Sequence, residues 1–289
     1  MTKPPDHHYT IEKQTRMLLD IGFSEEKADI AYAARMLFHT MIPHTAKEAR
    51  EWVRKNGRVR VSIQAASEMG LPYGVYPRLV FIWTVTEAYR TKNRTLTLGQ
   101  SLSDFMRQLG LLPTGGRWGT ITQLREQMRR LFGAHISAFI DLGGGEAMQR
   151  MHVADEYILW WTPQSPEQAA LWESTVTLGE RFFETIINKP FPVDMRIVRT
   201  LKRSPLGLDL YTWLTHRVSY MKEPVVISWR QLHAQFGADY RGKYGLNEFT
   251  KATKRELIKI EAAWPKLRYE TPRGRLKLLS SSPSIKQVK

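Results

Sequence analysis

One plan of elements occurs twice in this chain, and that repetition limits its fold more than any other feature. The first copy centres on Ser101–Phe132, SLSDFMRQLGLLPTGGRWGTITQLREQMRRLF. Ser101 stands in capping-box spacing with Asp104, and Leu102, Phe105, Met106 and Leu109 recur at helical spacing up to Gly110. Gly115, Gly116 and Gly119 break the chain before a second helix that buries Ile121, Leu124, Met128, Leu131 and Phe132. At about 100° per residue, Thr122, Gln123, Glu126, Arg129 and Arg130 then lie on its outer face. Ala134–Ile140 alternates, Gly143–Gly145 turns the chain, and Glu146–Val153 returns it as a hairpin, with Tyr157–Trp161 as a third strand.

The second copy has an apolar helix Leu206–Tyr220, a short strand Val225–Ile227 and a Ser-capped helix Ser228–Phe236 ending at Gly237. The turn ADYRGKYG follows, then a long helix Leu246–Trp264 stopped by Pro265. Leu267–Tyr269 and Leu276–Leu279 flank TPRGR as a hairpin. Aligned on Gly110 and Gly237, the copies place Leu102, Phe105 and Leu109 on Trp229, Leu232 and Phe236. Residue identity is poor, so the repeat is one of architecture. The expected fold is α+β and mainly helical, with two tandem winged-helix domains carrying small antiparallel β-wings.

Around these copies, residues 1–22 suggest a flexible basic arm. Ser24 is placed to cap a helix carrying Ala28, Ile30, Ala31, Ala34, Met36, Leu37 and Phe38. Thr45 and Glu48 suggest a second capped helix ending at Asn56-Gly57. Arg58–Ile63 alternates as a strand, Gly70–Pro77 is a turn cluster, Arg78–Tyr89 is a buried helix and Arg94–Leu98 a short strand. The expected domains are 23–161, a winged helix with a helical extension, and 174–280, a second winged helix. The polar, proline-bearing 162–173 would link them, and 281–289 would be a tail.

Charge suggests the partner. Forty-three Lys/Arg against 28 Asp/Glu give +15, and the pI is near 10.0. Asp239–Lys289 alone holds 13 Lys/Arg against 5 Asp/Glu, more than half of the excess. A solvated basic surface is the plainer reading, but this clustering favours a polyanion. On the second long helix Leu246, Phe249, Thr253, Leu257, Ile260 and Trp264 form the inner stripe. Asn247, Lys251, Lys254 and Arg255 face out, Lys243 stands at the helix entrance, and the hairpin offers Arg273 and Arg275. Asn and Arg can read base edges, while Lys mostly meets phosphate. In the first copy Arg117, Thr122, Gln123, Arg129 and Arg130 are the corresponding DNA candidates, with Arg150 on the hairpin. Trp118 is expected to pack behind its turn rather than to stack on a base.

Other chemistries find no support. No cysteine is present for a disulfide or a thiolate metal site, and GGRWGT lacks the lysine of a phosphate-binding loop. There is no HExxH, Pro43 separates His39 from His44, and no His-hydrophobe-His pair marks a nickase. Asp155-Glu156 alone does not make a two-metal nuclease. Leu79–Val85 is too short to span a bilayer, and MTKPPDHHYTIEK lacks a secretory core. A cytoplasmic, non-enzymatic protein without cofactor or metal is expected, with mean hydropathy −0.39.

The stretch from Gly70 to Phe132 resembles the plasmid-encoded RepA replication initiator family. The likeness runs through GLPYG-x-YPR at Gly70–Arg78, W-x-x-TEA-x-RT at Trp83–Thr91, LG-x-SLS-x-FM-x-x-LG at Leu98–Gly110 and PTGGRWGTI-x-x-L-x-x-QM-x-RLF at Pro113–Phe132. The resemblance implies sequence-specific binding of double-stranded DNA at the direct repeats (iterons) of a plasmid origin. It also implies opening of an adjacent AT-rich segment, recruitment of host initiator and helicase proteins, and a homodimer in equilibrium with monomer that represses its own promoter. Without an ATPase motif, opening would draw on binding energy and host factors. Two readers on a short linker would raise each other's effective concentration on one repeat, reaching successive major-groove faces roughly 10 bp apart. A tandem winged-helix transcriptional repressor without an origin role is the first rival reading, and an enzyme such as a nuclease or nickase is the second.

Overall fold

The structure, a computed structural model, describes residues 7–23, 28–35, 42–66, 68–160 and 173–285. Helix α1 (His7–Phe23) and strand β1 (Ile30–Ala33) come first. They are followed by β2 (Glu51–Asn56), β3 (Val59–Gln64), α2 (Tyr76–Thr91), β4 (Thr95–Thr97), α3 (Leu102–Gln108) and α4 (Thr120–Phe132). Next come β5 (His135–Asp141), β6 (Glu146–His152), β7 (Ala154–Ile158), β8 (Thr175–Leu178) and α5 (Glu180–Ile187). The chain then runs through β9 (Phe191–Asp194), α6 (Met195–Leu201), α7 (Pro205–Tyr220), β10 (Val225–Ser228), α8 (Trp229–Phe236), α9 (Gly245–Ala263), β11 (Tyr269–Glu270) and β12 (Arg275–Leu278). It is a mixed helix-and-sheet fold with small antiparallel sheets. Among the described residues no helix is long and apolar enough to cross a membrane.

Two units divide the chain. One spans Tyr32–Phe191; the other combines the chain up to Ala31 with Pro192 onward.

The 32–191 unit is built on α2, whose Leu79, Val80, Phe81, Ile82 and Val85 are all buried. Phe81 meets Phe182 of α5 edge-on, with ring centres 5.7 Å apart, and Trp83 meets Phe105 of α3 at 4.9 Å. Arg78 is wholly buried at the head of α2. Its guanidinium donates to the carbonyls of Ile42, Gly74 and Pro43 at 2.5, 2.6 and 3.4 Å. The arginine of the GLPYG-x-YPR motif thereby has a physical role: a buried cation ties its own turn to the Ile42-Pro43 segment before β2. Strands β2, β3, β5 and β6 form one antiparallel sheet, and β4, β8 and β7 another.

The other unit is centred on α9, which packs against α1, α7 and α8. Phe249, Leu257 and Ile260 fill its inner face, and Leu18 of α1 is fully buried. Strand β12 runs between β10 and β11. Ser228 and Gln231 form a complete capping box on α8. Tyr211 on α7 accepts from the backbone N–H of Asp194 at 2.9 Å and shares a hydrogen bond with Ser284 at 3.2 Å. Burial pushes its hydroxyl pKa up to about 12, so it stays neutral.

Several expectations change. The described part of the arm, from His7, is helix α1 and not a loose segment. Ile30–Ala33 is a strand rather than part of a Ser24-capped helix; Ser24 and Met36–Phe38 lie outside the described residues. The segment after Thr45 and Glu48 is strand β2, because Trp52 and Ile63 pair across a hairpin turned by Gly57 at φ +59°. Asn-Gly between alternating segments is a hairpin signal, and here it outweighs the capping-box spacing. Strand β7 pairs with β8 and not with the β5–β6 hairpin. That pairing, with the seating of α5 on α2, keeps 174–191 with the first unit and moves the division from 162–173 to 191/192. Residues 162–172 of the expected linker lie outside the described residues. Residues 281–285 are tied down rather than a free tail: the Trp264 indole donates to the Ser282 carbonyl at 3.0 Å, and Ile285 is buried.

Candidate nucleic-acid interface

Helix α9 is amphipathic because Phe249, Thr253, Leu257 and Ile260 all fall inward. Asn247, Lys251, Lys254 and Arg255 are correspondingly exposed along the opposite side, spanning about 12 Å of helix. Among the described residues none of Lys243, Lys251, Lys254, Arg255, Arg273 and Arg275 forms an ion pair, whereas neighbouring Lys259 and Lys277 are matched to Glu256 and Glu270 at 3.1 Å. The first group therefore leaves its charge for solvent or a ligand.

Trp229, the first residue of α8, joins this face to the hairpin. Its backbone N–H donates to the Gly274 carbonyl at the hairpin tip at 3.1 Å. Lys254 lies over its ring, 5.8 Å from the centre. Register puts Arg275 opposite Ser228, the residue before Trp229. Lys254 of the helix and the backbone of the hairpin tip thus both contact one buried tryptophan, with Arg275 in register opposite the residue before it.

The 32–191 unit places its candidates differently. Thr122 and Gln123 are exposed but turn back on the glycine loop: the Thr122 hydroxyl donates to the Gly116 carbonyl at 2.9 Å, and the Gln123 amide donates to the Trp118 carbonyl at 3.0 Å. Arg117 and Arg129 are exposed. Arg130 turns inward, against expectation. It pairs with Glu126 at 2.8 Å, donates to the Leu71 carbonyl at 3.2 Å and lies over Tyr73 at 5.3 Å. It holds the Gly70–Pro77 turn, and Arg130→Ala is expected to lower the unfolding midpoint while leaving DNA affinity within about twofold, checked by thermal melts and gel shifts on one preparation. On the β5–β6 hairpin, burial first and then the neighbouring His152 and Arg150 hold the His135 pKa below the ordinary histidine value. Among the described residues no group of three or more His, Cys, Asp or Glu could hold a metal ion.

Trp118 was expected behind its turn; it is 79% exposed. The repeat also goes further than the alignment on Gly110 and Gly237. A Gly-cation-aromatic-Gly tetrapeptide occurs in both units, as Gly116-Arg117-Trp118-Gly119 and Gly242-Lys243-Tyr244-Gly245. The signal is local and lies in the sequence itself, one tetrapeptide pattern in each glycine turn.

The chain matches the family described as plasmid encoded RepA protein over residues 71–231, more than half its length, and it belongs to that family. Among solved structures it is similar to RctB domains 2-3, residues 155–483, with a TM-score of 0.52 at 13% identity, covering 84% of this chain and 94% of that one. A selenomethionine derivative of domains 2 and 3 of RctB gives 0.54 at 13% identity, covering 92% and 99%. At that identity the likeness is one of fold. No curated protein matches the chain significantly. The family match ends within α8, so α9 and the β11–β12 hairpin lie beyond it.

Proposed function

We propose that this RepA-family protein is a plasmid replication initiator that binds the direct repeats of its origin as a double-stranded DNA reader with two winged-helix units. The observation that carries the reading is Lys254 lying over Trp229, whose N–H is held by the hairpin tip, with Arg275 in register opposite Ser228 and, among the described residues, the other exposed cations of α9 outside any ion pair. A helix flanked by a basic hairpin suits a major groove and its adjoining backbone. The order β10, α8, α9, β11–β12, with β10 paired to β12, agrees with a winged helix. In the 32–191 unit the strand before α3 pairs with β8 instead, so this unit is the more divergent reader.

Arg117, Thr122, Gln123 and Arg129 from one unit, with Lys243, Asn247, Lys251, Lys254, Arg255, Arg273 and Arg275 from the other, make up the proposed contact set. Origin opening, host initiator and helicase recruitment, and a dimer that represses its own promoter belong to the same proposal, as does a cytoplasmic, non-enzymatic role. The test is a footprint over the DNA flanking the gene, which is expected to show regularly spaced protection. Affinity is expected to fall steeply with salt, since several Lys and Arg displace counterions. Binding that barely changes between low and moderate salt would sink the reading. A repressor without an origin role would leave plasmid maintenance independent of the gene.

A further inference from the structure

The two Gly-cation-aromatic-Gly segments share more than composition. Each leads directly into the second helix of its helix–glycine turn–helix copy, α4 or α9. In each, the last glycine's N–H donates to the first glycine's carbonyl, at 3.0 Å for Gly119 to Gly116 and 3.1 Å for Gly245 to Gly242. The first glycine has positive φ in both, +87° at Gly116 and +81° at Gly242, with nothing within 4 Å of where a Cβ would be. The last glycine is the reverse case: a Cβ would run into the carbonyls of Thr114 and Gly115 at Gly119, and of Tyr240 at Gly245. The aromatic is exposed in both, Trp118 at 79% and Tyr244 at 64%. The cation lies over it in both, Arg117 at 5.2 Å and Lys243 at 5.6 Å from the ring centre.

Folding alone gives no reason to keep a tryptophan and a tyrosine in water at equivalent places. The turns are held firmly: Thr114 and Thr120 exchange hydrogen bonds at 2.9 Å, and the Tyr240 carbonyl hydrogen-bonds the His233 ring at 2.9 Å. A rigid aromatic with a cation on one face loses little conformational entropy on binding, and the pair carries both an apolar surface and a positive charge. The sugar–phosphate backbone of DNA offers the complement to both, whereas an acidic protein surface would match only the cation.

Resting on the DNA-binding reading above, we propose that these two turns are the backbone clamps of the protein: Trp118 and Tyr244 lie on deoxyribose while Arg117 and Lys243 pair with adjacent phosphates. The clamps fix each second helix against the duplex without reading sequence. A repeated clamp explains why the glycine turn is chemically alike in both units although the helices that follow it differ.

The experiment measures binding of the full chain to a repeat duplex and to a scrambled duplex of equal length, for Trp118→Ala, Tyr244→Ala, Trp118→Phe, Tyr244→Phe, Arg117→Ala and Lys243→Ala. Each ring-to-alanine change is expected to weaken both duplexes by the same factor, about tenfold, leaving their ratio unchanged. The phenylalanine variants keep the ring and are expected to stay within about threefold of the wild type. Each cation removal is expected to reduce the slope of log affinity against log salt by about 1. These two exposed-cation variants keep the test open should an alanine variant fold poorly by circular dichroism. Folded ring variants that bind both duplexes as the wild type does, including any that lose plasmid maintenance alone and so point to a protein partner, overturn the proposal. Loss confined to the repeat duplex overturns it too, because the ring would then be reading bases. If the wild type itself binds no duplex, the DNA-binding reading fails first, and that outcome is distinct from the others.

Discussion

Lys251→Ala combined with Arg255→Ala is expected to abolish specific binding to the origin repeats while leaving the thermal unfolding midpoint close to the wild type's. The two residues stand one helical turn apart on the outer face of α9, exposed and, among the described residues, outside any ion pair. Neither contributes to the inner stripe, which consists of Phe249, Thr253, Leu257 and Ile260. Surface changes of this kind usually move stability by less than about 0.5 kcal/mol. Losing a side-chain contact of this kind costs about 1–3 kcal/mol, so two together weaken binding by about thirtyfold or more. The salt slope should fall by about 2 as two counterion-displacing charges disappear. Titration of a repeat duplex at two or more salt concentrations checks both. Normal binding by a folded double variant would place the recognition surface elsewhere than on α9.

Leu18→Ala is expected to cost about 3 kcal/mol in urea unfolding, as large as a central core deletion. Leu18 is fully buried although it lies in a segment that composition marks as an arm. Its helix, α1, packs against α9 and α6, so it forms part of the core that holds the reading helix. Two further contacts agree: the Gln14 side-chain amide donates to the Thr200 carbonyl at 2.8 Å, and a Cβ on Gly22 would collide with the Ala262 carbonyl of α9. A fragment limited to 174–280 lacks α1 and the Ser281–Ile285 clasp, and is expected to unfold where the full chain does not. A change under about 0.5 kcal/mol for Leu18→Ala would show that α1 is not part of this core.

Periodic segments and capping residues were legible in the sequence because each depends on neighbours within a few positions. Ser101 accepts from the Asp104 N–H at 3.1 Å, and Ser228 with Gln231 closes a full capping box, as their spacing indicates. The inner stripe of α9 is buried where its period places it. Thr45 with Glu48 shows the limit of such reasoning. The same local spacing was overridden by pairing between β2 and β3, since a ladder buries Trp52 and Ile63 where an isolated helix would not. The α5 and α6 segments carry local signals, since Phe182 and Ile186 fall inward at helical spacing and Asp194 caps α6, but only their partners reveal which unit each joins.

For the candidate interface, residue type pointed to the surface but not to the direction of each side chain. Arg129 and Arg130 are neighbours of the same type, yet Arg129 faces solvent and Arg130 is held by Glu126 and the Leu71 carbonyl. Trp118 looked like a packing residue because tryptophan is mostly buried in folded proteins, and its exposure followed only from the closed glycine turn.

The sequence by itself determined the basic character of the chain, the family, the doubled helix–glycine turn–helix–hairpin order and the inner face of each long helix. All of these are properties of residue type and short-range spacing. Tertiary structure alone decided that the first helix completes the second unit, that the division falls at 191/192, and which cations remain unpaired. Those outcomes depend on contacts between segments far apart in the chain, such as α1 with α9 or β4 with β8, whose partners no local pattern specifies.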